Sequence, residues 1–144
     1  MTYSTNIGLK YSNSSVQQSF TLSEVNNKQI GLIRSFGSLG PNWDSYGANI
    51  PSSKAISKAI SFAKYLSDKG IDIFFAAPTP DGDILVELTN GGASLEFVFS
   101  SLDDDDKIIA SSNNEDYCEA RINDTTKNAY LKWLICPNGG CPDF

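Results

Sequence analysis

Two groups of side chains in this 144-residue sequence have the chemistry to bind a ligand or a partner. The first lies in the loop from Gly40 to Pro51, here called the Trp43 loop, which holds Trp43, Asp44 and Tyr46. The second is the set of carboxylates in residues 71–144, where fourteen Asp and Glu stand against four Lys and Arg. Aromatic rings are frequent in binding hot spots, and an excess of carboxylates attracts a basic partner.

Catalytic chemistry has little support among these residues. The sequence contains no histidine to act as a general base, and it has neither a Gly-x-Ser-x-Gly elbow nor a glycine-rich phosphate loop. A calcium loop needs alternating oxygen ligands and a distal glutamate, a spacing that Asp81-Gly82-Asp83 lacks. The run Asp103 to Asp106 favours a solvated turn, since consecutive side chains of an extended chain point in different directions. We therefore expect no enzyme activity, no metal and no cofactor.

The charge balance restricts the class of partner. Residues 1–70 carry seven Lys and Arg against three Asp and Glu, a balance of +4, and residues 71–144 have a balance of −10, which together give −6. A net acidic chain repels nucleic-acid phosphates, so we expect no direct binding to DNA or RNA. The acidic half predicts a basic protein partner, and solubility is the simpler alternative role for the surplus carboxylates.

Hydropathy and cysteine usage favour a cytoplasmic protein. No stretch approaches the roughly 20 apolar residues of a membrane span, and residues 1–20 lack the apolar centre of a secretory signal. Because the cysteine count of three is odd, free thiols in a reducing compartment are the leading expectation. A disulfide between Cys136 and Cys141, which bracket four residues, is the alternative and leaves their redox state open.

Three segments have the apolar periodicity of helices. The first begins with the capping box Thr21 to Glu24. The second begins at Pro51 and ends at Gly70, and its alanines predict that it lies flat on a sheet. The third runs from Thr125 to Ile135 with Asp124 as its N-cap.

From Ile71 the apolar period changes from 3.6 to 2, which predicts strands. Asn90-Gly91-Gly92 predicts a tight hairpin, and short connections predict an antiparallel meander. The sequence therefore predicts an α+β fold of two N-terminal helices, a four- or five-stranded antiparallel meander and one C-terminal helix. This domain spans residues 21–136, between a polar arm at 1–20 and a tail at 137–144. The predicted strands are Ile71–Ala77, Asp83–Thr89, Ser94–Ser100, Lys107–Ser111 and Tyr117–Ile122.

Strand alternation divides the predicted sheet into an inner and an outer face. The inner positions are apolar and fit a core beneath the helices. The outer positions mix apolar and acidic side chains, a composition that is typical of a partner-binding surface. A homodimer through this face is the alternative to a basic partner. The outer residues that we expect to contact a partner are Phe74, Asp83, Leu85, Glu87, Glu96, Val98, Tyr117 and Glu119, with Asp72, Ile109 and Arg121 on the same face.

The Trp43 loop has two interpretations. In the first, its rings bury themselves where the loop crosses the end of the sheet, Asp44 accepts backbone N–H groups, and Gly47 adopts an unusual φ. In the second, Trp43, Asp44 and Tyr46 form the edge of the partner-binding surface. We favour the structural interpretation over the binding interpretation.

The loop also resembles a known pattern. The segment Asn42-Trp43-Asp44-Ser45-Tyr46-Gly47-Ala48, the helix after Pro51 and the turn Pro78-Thr79-Pro80-Asp81-Gly82 are similar to a widespread group of small bacterial and phage-associated proteins. The usual pattern of that group is Trp-Asp-Gly-Tyr-x-Ala, a helix, and Pro-Thr-x-Asp-Gly before a strand. Ser45 stands where glycine is commoner, and the resemblance covers residues 40–90. It implies this fold and a bacterial or phage setting, and it transfers no catalytic residue.

We therefore expect a non-catalytic acidic module that binds a basic protein. The leading hypothesis is an inhibitor, antitoxin or immunity protein of a bacterial or phage conflict system, which would cover the active surface of a basic toxin or nuclease. An accessory subunit of a larger bacterial or phage assembly is the second hypothesis. A small-ligand binder or enzyme with its site at the Trp43 loop is the third.

Overall fold

The structure is a computed structural model that describes residues 23–113, 116–137 and 141–142. The predicted N-terminal arm at residues 1–20 lies outside the described residues, and so does most of the predicted tail at 137–144. Of Tyr117, only the backbone is described.

Two helices precede a five-stranded sheet, and a third helix follows it, so the predicted α+β fold is confirmed. One turn of 3₁₀-helix extends the first helix, and another lies between the third and fourth strands. In the part of the chain that the structure describes, no helix is both long enough and apolar enough to cross a bilayer. The elements are α1 (Glu24–Ser35), α2 (Ser53–Asp68), β1 (Phe75–Pro78), β2 (Ile84–Asn90), β3 (Ala93–Phe99), β4 (Lys107–Ser112), β5 (Asp116–Arg121) and α3 (Asp124–Ile135).

Each helix begins with a side-chain cap, although not at the residue that the sequence predicts. Ser23 Oγ accepts a hydrogen bond from the Asn26 backbone N–H at 3.0 Å, so α1 begins after the predicted cap. Ser52 caps α2 in the same way, so this helix begins at Ser53 and not at the predicted Pro51. Asn123, not the predicted Asp124, forms a reciprocal capping box at α3. Neighbouring Ser, Thr, Asn and Asp have similar intrinsic preferences as N-caps, so the sequence alone does not distinguish between them.

The strands form the predicted antiparallel meander, in the spatial order β1-β2-β3-β4-β5. Asn90 pairs with Ala93 across a turn of two glycines, and Gly91 has a φ of +63°. A two-residue hairpin turn requires this left-handed backbone, which glycine adopts without a steric penalty. Each strand pairs with the next one in the chain, from β1 at one edge of the sheet to β5 at the other.

The first predicted strand is wrong at its beginning. Residues 71–74 lie outside β1. The buried Asn26 side chain bonds to two of their backbone groups: its amide donates to Ile71 O at 2.9 Å, and its oxygen accepts from the Ile73 N–H at 2.8 Å. The Phe74 N–H already donates to Glu87 O of β2 at 2.9 Å. The alternation then restarts, so Phe75 faces outward although the sequence predicts Phe74 there. Both rings are exposed, at 63 % for Phe74 and 47 % for Phe75.

One continuous core lies between the helices and the inner face of the sheet. The predicted inner positions are correct, since the inward side chains of β2 and β3 are all buried. The Phe62 ring of α2 packs on Phe97 of β3 with a distance of 4.3 Å between the ring centroids. Ala55, Ala59 and Ala63 are buried and let α2 approach the core closely, as the sequence predicts.

The cysteines pair differently from either expectation. Cys118 and Cys141 form a disulfide with a distance of 5.8 Å between their Cα atoms, and Cys136 is an exposed free thiol. The prediction of free thiols is therefore wrong for Cys118 and Cys141, and the alternative pairing of Cys136 with Cys141 is also wrong. An odd cysteine count leaves one thiol over, but only the spatial separation decides which two can pair.

Candidate functional site

The outer sheet face consists of the side chains that project from the strands on the side away from the core. Because directly paired residues of adjacent strands point to the same face, the register aligns these side chains in rows across the sheet. The first row is Phe75, Glu87, Glu96, Ile109 and Glu119, and the second row is Ala77, Leu85, Val98, Lys107 and Arg121.

Five of the predicted partner-binding residues come together in these two rows. They are Leu85, Glu87, Glu96, Val98 and Glu119. Asp83 directly precedes β2 and shares the parity of Leu85 and Glu87. The backbone of Tyr117 pairs with Ser111 in β5, but its side chain is outside the described part of the structure. The sequence missed Phe75, since the restart of alternation before β1 depends on a contact from α1.

Two carboxylates face each other at the centre of the first row. Glu87 pairs directly with Glu96, a position in which the Cβ atoms of antiparallel strands are about 5 Å apart. Partial burial raises the pKa of the Glu87 carboxyl, and the charge of Glu96 raises it further. Within residues 23–113 and 116–137, no lysine or arginine forms an ion pair with either carboxylate. The lysine of the second row, Lys107, lies 4.0 Å from Glu119.

The sequence held a signal for this pair. Asn90 and Ala93 flank the predicted two-residue hairpin turn, and counting three residues outward along each strand arrives at Glu87 and Glu96. Turn length fixes the register of a hairpin. The direct opposition of the two acids was therefore predictable from the hairpin itself.

Apolar side chains surround the two carboxylates. Val98 is only 8 % exposed although it belongs to the outer face, while Leu85 and Ile109 are half-buried. The exposed Phe75 ring continues this apolar surface to the sheet edge. The outer face thus combines an unneutralised acidic pair with apolar area.

The acidic run after β3 is more structured than a solvated turn. Asp106 accepts hydrogen bonds from the Ser100 backbone N–H at 2.7 Å and from Lys58 Nζ at 3.0 Å. Hydrogen bonds from Lys58 and Lys54 lower the pKa of the exposed Asp103 carboxyl. The expectation of a solvated turn holds for Asp104 and Asp105, which are exposed, and is wrong for Asp106, which holds the turn against α2.

Hydrogen bonds within the Trp43 loop determine its conformation. Trp43 Nε1 donates to Asn49 O at 2.8 Å. Asp44 Oδ1 accepts from the backbone N–H groups of Tyr46 at 2.8 Å and Ala48 at 3.1 Å. The polar atoms of Trp43 and Asp44 are therefore occupied by the loop's own backbone, an arrangement that is typical of a structural role.

The backbone of this loop has several left-handed positions. Asn42, Ser45 and Gly47 have φ values of +61°, +67° and +86°. Such values are uncommon for residues other than glycine, and they persist only where the surrounding contacts hold them. A glycine in place of Ser45 would adopt this conformation without strain.

The Trp43 loop is also bound to the turn between β1 and β2. The Asn49 N–H donates to Pro80 O, and the Ser52 N–H donates to Gly82 O, both at 2.8 Å. Gly82 has a φ of +88°, and a Cβ there would lie 2.9 Å from Ile50 O, so only glycine permits this approach. The loop therefore joins the start of α2 to the end of the sheet.

Tyr46 is the exception in the loop. Its backbone N–H is bound to Asp44, yet its side chain is 91 % exposed. The structure thus separates the three predicted residues of this loop: Trp43 is half-buried and Asp44 is bonded internally, whereas Tyr46 projects into solvent from a fixed backbone.

The fold and this surface define the class: an α+β domain whose helices cover one face of the sheet, while no helix of the described part covers the outer face. No protein-family model, no curated protein and no solved structure matches the chain. The functional argument therefore depends on the geometry of this molecule.

Proposed function

We propose that this protein is a non-catalytic module that binds a basic protein partner through its outer sheet face. The observation that carries the proposal is the direct opposition of Glu87 and Glu96 among apolar side chains. Like charges directly opposite each other destabilise a sheet. A guanidinium or ammonium group placed between the two carboxylates would replace this repulsion with two charge-assisted hydrogen bonds.

The surroundings of the pair support a protein partner over a free cation. Leu85 and Ile109 are half-buried and offer apolar area that only a partner with its own apolar side chains would cover. Aromatic residues are enriched in interface hot spots, and Phe75 and Tyr46 are both exposed. The net charge of −6 also favours rapid association with a basic surface.

In biological terms, we propose an inhibitor, antitoxin or immunity protein that covers the active surface of a basic toxin or nuclease. The acidic charge supports this role, and the resemblance of residues 40–90 to bacterial and phage-associated proteins supports the setting. An accessory subunit of a larger assembly would use the same surface and is the alternative. A ligand site at the Trp43 loop has less support, since the polar atoms of Trp43 and Asp44 bond within the loop.

Affinity capture at low salt tests the proposal. The wild-type chain is immobilised beside two double variants with the same change of charge, Glu87→Gln/Glu96→Gln and the control Glu24→Gln/Asp68→Asn. The control residues are exposed and lie outside the strands. Captured bacterial proteins are identified by mass spectrometry at about 50 mM and about 500 mM salt, where the Debye length falls severalfold.

We expect the wild type and the control to retain a basic protein at low salt, and the glutamine variant to retain at least tenfold less. A captured nuclease or toxin supports the inhibitor role, and a large complex supports the accessory role. Equal capture by all three chains, or no partner at low salt, would refute the proposed interface. Because removing the repulsion stabilises the sheet, unfolding of the glutamine variant does not explain a loss of binding.

A further inference from the structure

A concave surface lies on the opposite side of the sheet from the outer face. It is a cleft of about 480 Å³ between α2 and the beginning of α3, a volume within the usual range for small-molecule sites. Phe62, Phe99 and Ile122 line it together with Tyr65. The centroids of the Phe62 and Phe99 rings are 5.4 Å apart, so the cleft has an aromatic wall.

Ammonium groups surround this apolar surface. The lining residues include Lys54, Lys58 and Lys127 and a single carboxylate, Asp106. A local balance of +2 results from three positive and one negative side chain, whereas the whole chain has a net charge of −6. Asp103 and Asp124 do not line the cleft, but they pair with its lysines and balance this charge. An anion in the cleft therefore has to compete with these carboxylates for the ammonium groups.

The lysines differ in how firmly they are held. Lys58 Nζ donates to Ser100 O at 2.8 Å and lies 3.0 Å from Asp106 Oδ2. Partial burial lowers the pKa of its ammonium group, but the hydrogen bonds that it donates to Asp103 and Asp106 outweigh burial, and the net direction is upward. Lys58 therefore holds the turn after β3 and contributes charge without being free to move.

Lys54 and Lys127 have weaker partners. Lys54 lies 3.3 Å from Asp103, and both side chains are more than half exposed. Lys127 lies 3.5 Å from Asp124, whose side chain is 97 % exposed. Exposed ion pairs contribute little to stability, so a bound anion can replace both carboxylates at small cost.

Tyr65 holds one of these lysines in position. Lys127 Nζ lies 4.1 Å from the centroid of the Tyr65 ring, a distance at which the ring attracts the cation. The Tyr65 hydroxyl donates to Asn128 Oδ1 at 2.8 Å, which orients the ring. Two exposed hydroxyl groups, Ser57 and Ser61, also line the cleft and are able to donate to an anion.

We propose that this cleft binds a small organic anion with a flat apolar body, of the class of aromatic carboxylates and sulfonates. The apolar body packs against Phe62 and Phe99, and the acid group pairs with Lys127, which lines the same cleft. The site is independent of the proposed protein-binding function, since the two surfaces share none of the residues that carry either argument.

Fluorescence titration with 1-anilinonaphthalene-8-sulfonate tests this site, beside its uncharged counterpart N-phenyl-1-naphthylamine. We expect Lys127→Gln to weaken binding of the sulfonate about tenfold, the usual scale for one charge-assisted hydrogen bond, and to leave binding of the neutral probe unchanged. Ser61→Trp should abolish binding of both probes by filling the cleft. Because Ser61 is exposed, this variant should fold, which its thermal melt checks.

Three control variants test whether the fluorescence of the bound sulfonate comes from the cleft. Lys64→Gln removes an exposed charge from α2 outside the cleft, and Phe74→Ser removes the exposed ring at the sheet edge. Both should bind the sulfonate like the wild type, as should Glu87→Gln/Glu96→Gln. A sulfonate signal that survives Ser61→Trp, or that Phe74→Ser removes, would overturn the proposal. So would equal binding of the sulfonate by the wild type and Lys127→Gln.

Discussion

The Trp43 loop and the outer sheet face both contain acidic and aromatic residues, but they use them in opposite ways. In the loop, Asp44 accepts two backbone N–H groups, and Trp43 donates to a backbone carbonyl. On the outer face, Glu87 and Glu96 oppose each other with no cationic partner among the described residues. A carboxylate that is satisfied internally stabilises the fold, whereas one that is left opposite a like charge favours an external partner.

Tyr46 belongs to the loop by its backbone and resembles the outer face by its exposure. The hydrogen bonds that satisfy Asp44 also fix the backbone that presents this ring. A rigid aromatic side chain loses little entropy when it binds. The structural interpretation of the loop therefore applies to Trp43 and Asp44, and the partner-binding interpretation applies to Tyr46.

The largest expected effect is that of Trp43→Ala. The half-buried ring and its hydrogen bond to Asn49 O are lost, and the free energy of unfolding should fall by about 2–3 kcal/mol. Urea unfolding followed by far-UV circular dichroism measures the change. A loss below about 0.5 kcal/mol would place Trp43 with the exposed surface residues instead.

The next effect is that of Asp44→Ala, which leaves two backbone N–H groups without their acceptor. The free energy of unfolding should fall by about 1–2 kcal/mol. Asp44→Asn keeps one acceptor oxygen and should recover a part of this loss. If the two variants lose equal stability in urea unfolding, hydrogen-bond acceptance is not the reason for an acid at this position.

Glu87→Gln should raise the free energy of unfolding, whereas the two substitutions in the Trp43 loop should lower it. Burial and Glu96 raise the folded-state pKa of Glu87 above its ordinary value of 4.5, so between the unfolded and folded pKa values the folded state binds more protons. The wild type therefore loses stability as pH rises through this window. Removing the repulsion should increase the free energy of unfolding at pH 7 by about 0.5 kcal/mol.

The measurement is urea unfolding of the wild type and Glu87→Gln at pH 4 and pH 7, with Asp68→Asn as the control. The gain should be larger at pH 7 than at pH 4, because the wild-type carboxyl is protonated more at the lower pH. A variant that is less stable than the wild type at pH 7 would contradict a net repulsion between Glu87 and Glu96 in the folded state.

The smallest effect on stability is that of Tyr46→Ser. The ring is almost fully exposed, so the free energy of unfolding should change by less than about 0.5 kcal/mol. Capture of the basic partner should fall if the interface extends to the loop, which the capture experiment above measures. Unchanged capture would confine the interface to the outer sheet face and leave the Trp43 loop with a structural role only.

Much of the fold was predictable because it depends on local signals. The alternation of β2 and β3 and the two glycines between them predict both the faces and the register. The apolar stripe and alanines of α2 predict its position on the core. The predicted helix starts differ from the observed ones by one or two residues, because Ser23, Ser52 and Asn123 have neighbours of similar capping preference.

The candidate site was predictable in part. Leu85, Glu87, Glu96 and Val98 share one face through strand period alone. The prediction for β1 failed because the side chain of Asn26, 45 residues before Ile71, bonds to the backbone there. The alternation of apolar residues over a short segment carries no information on a hydrogen bond between residues so far apart in the sequence.

The sequence by itself determined the fold class, the inner and outer faces of the sheet, and the excess of carboxylates on its second half. The tertiary structure alone decided which cysteines pair, where β1 begins, and which acids are satisfied. The physical reason is the range of the interactions. Alternation and turn preference act over a few residues, whereas a disulfide, a buried amide or an ion pair depends on the distance between segments that only folding brings together.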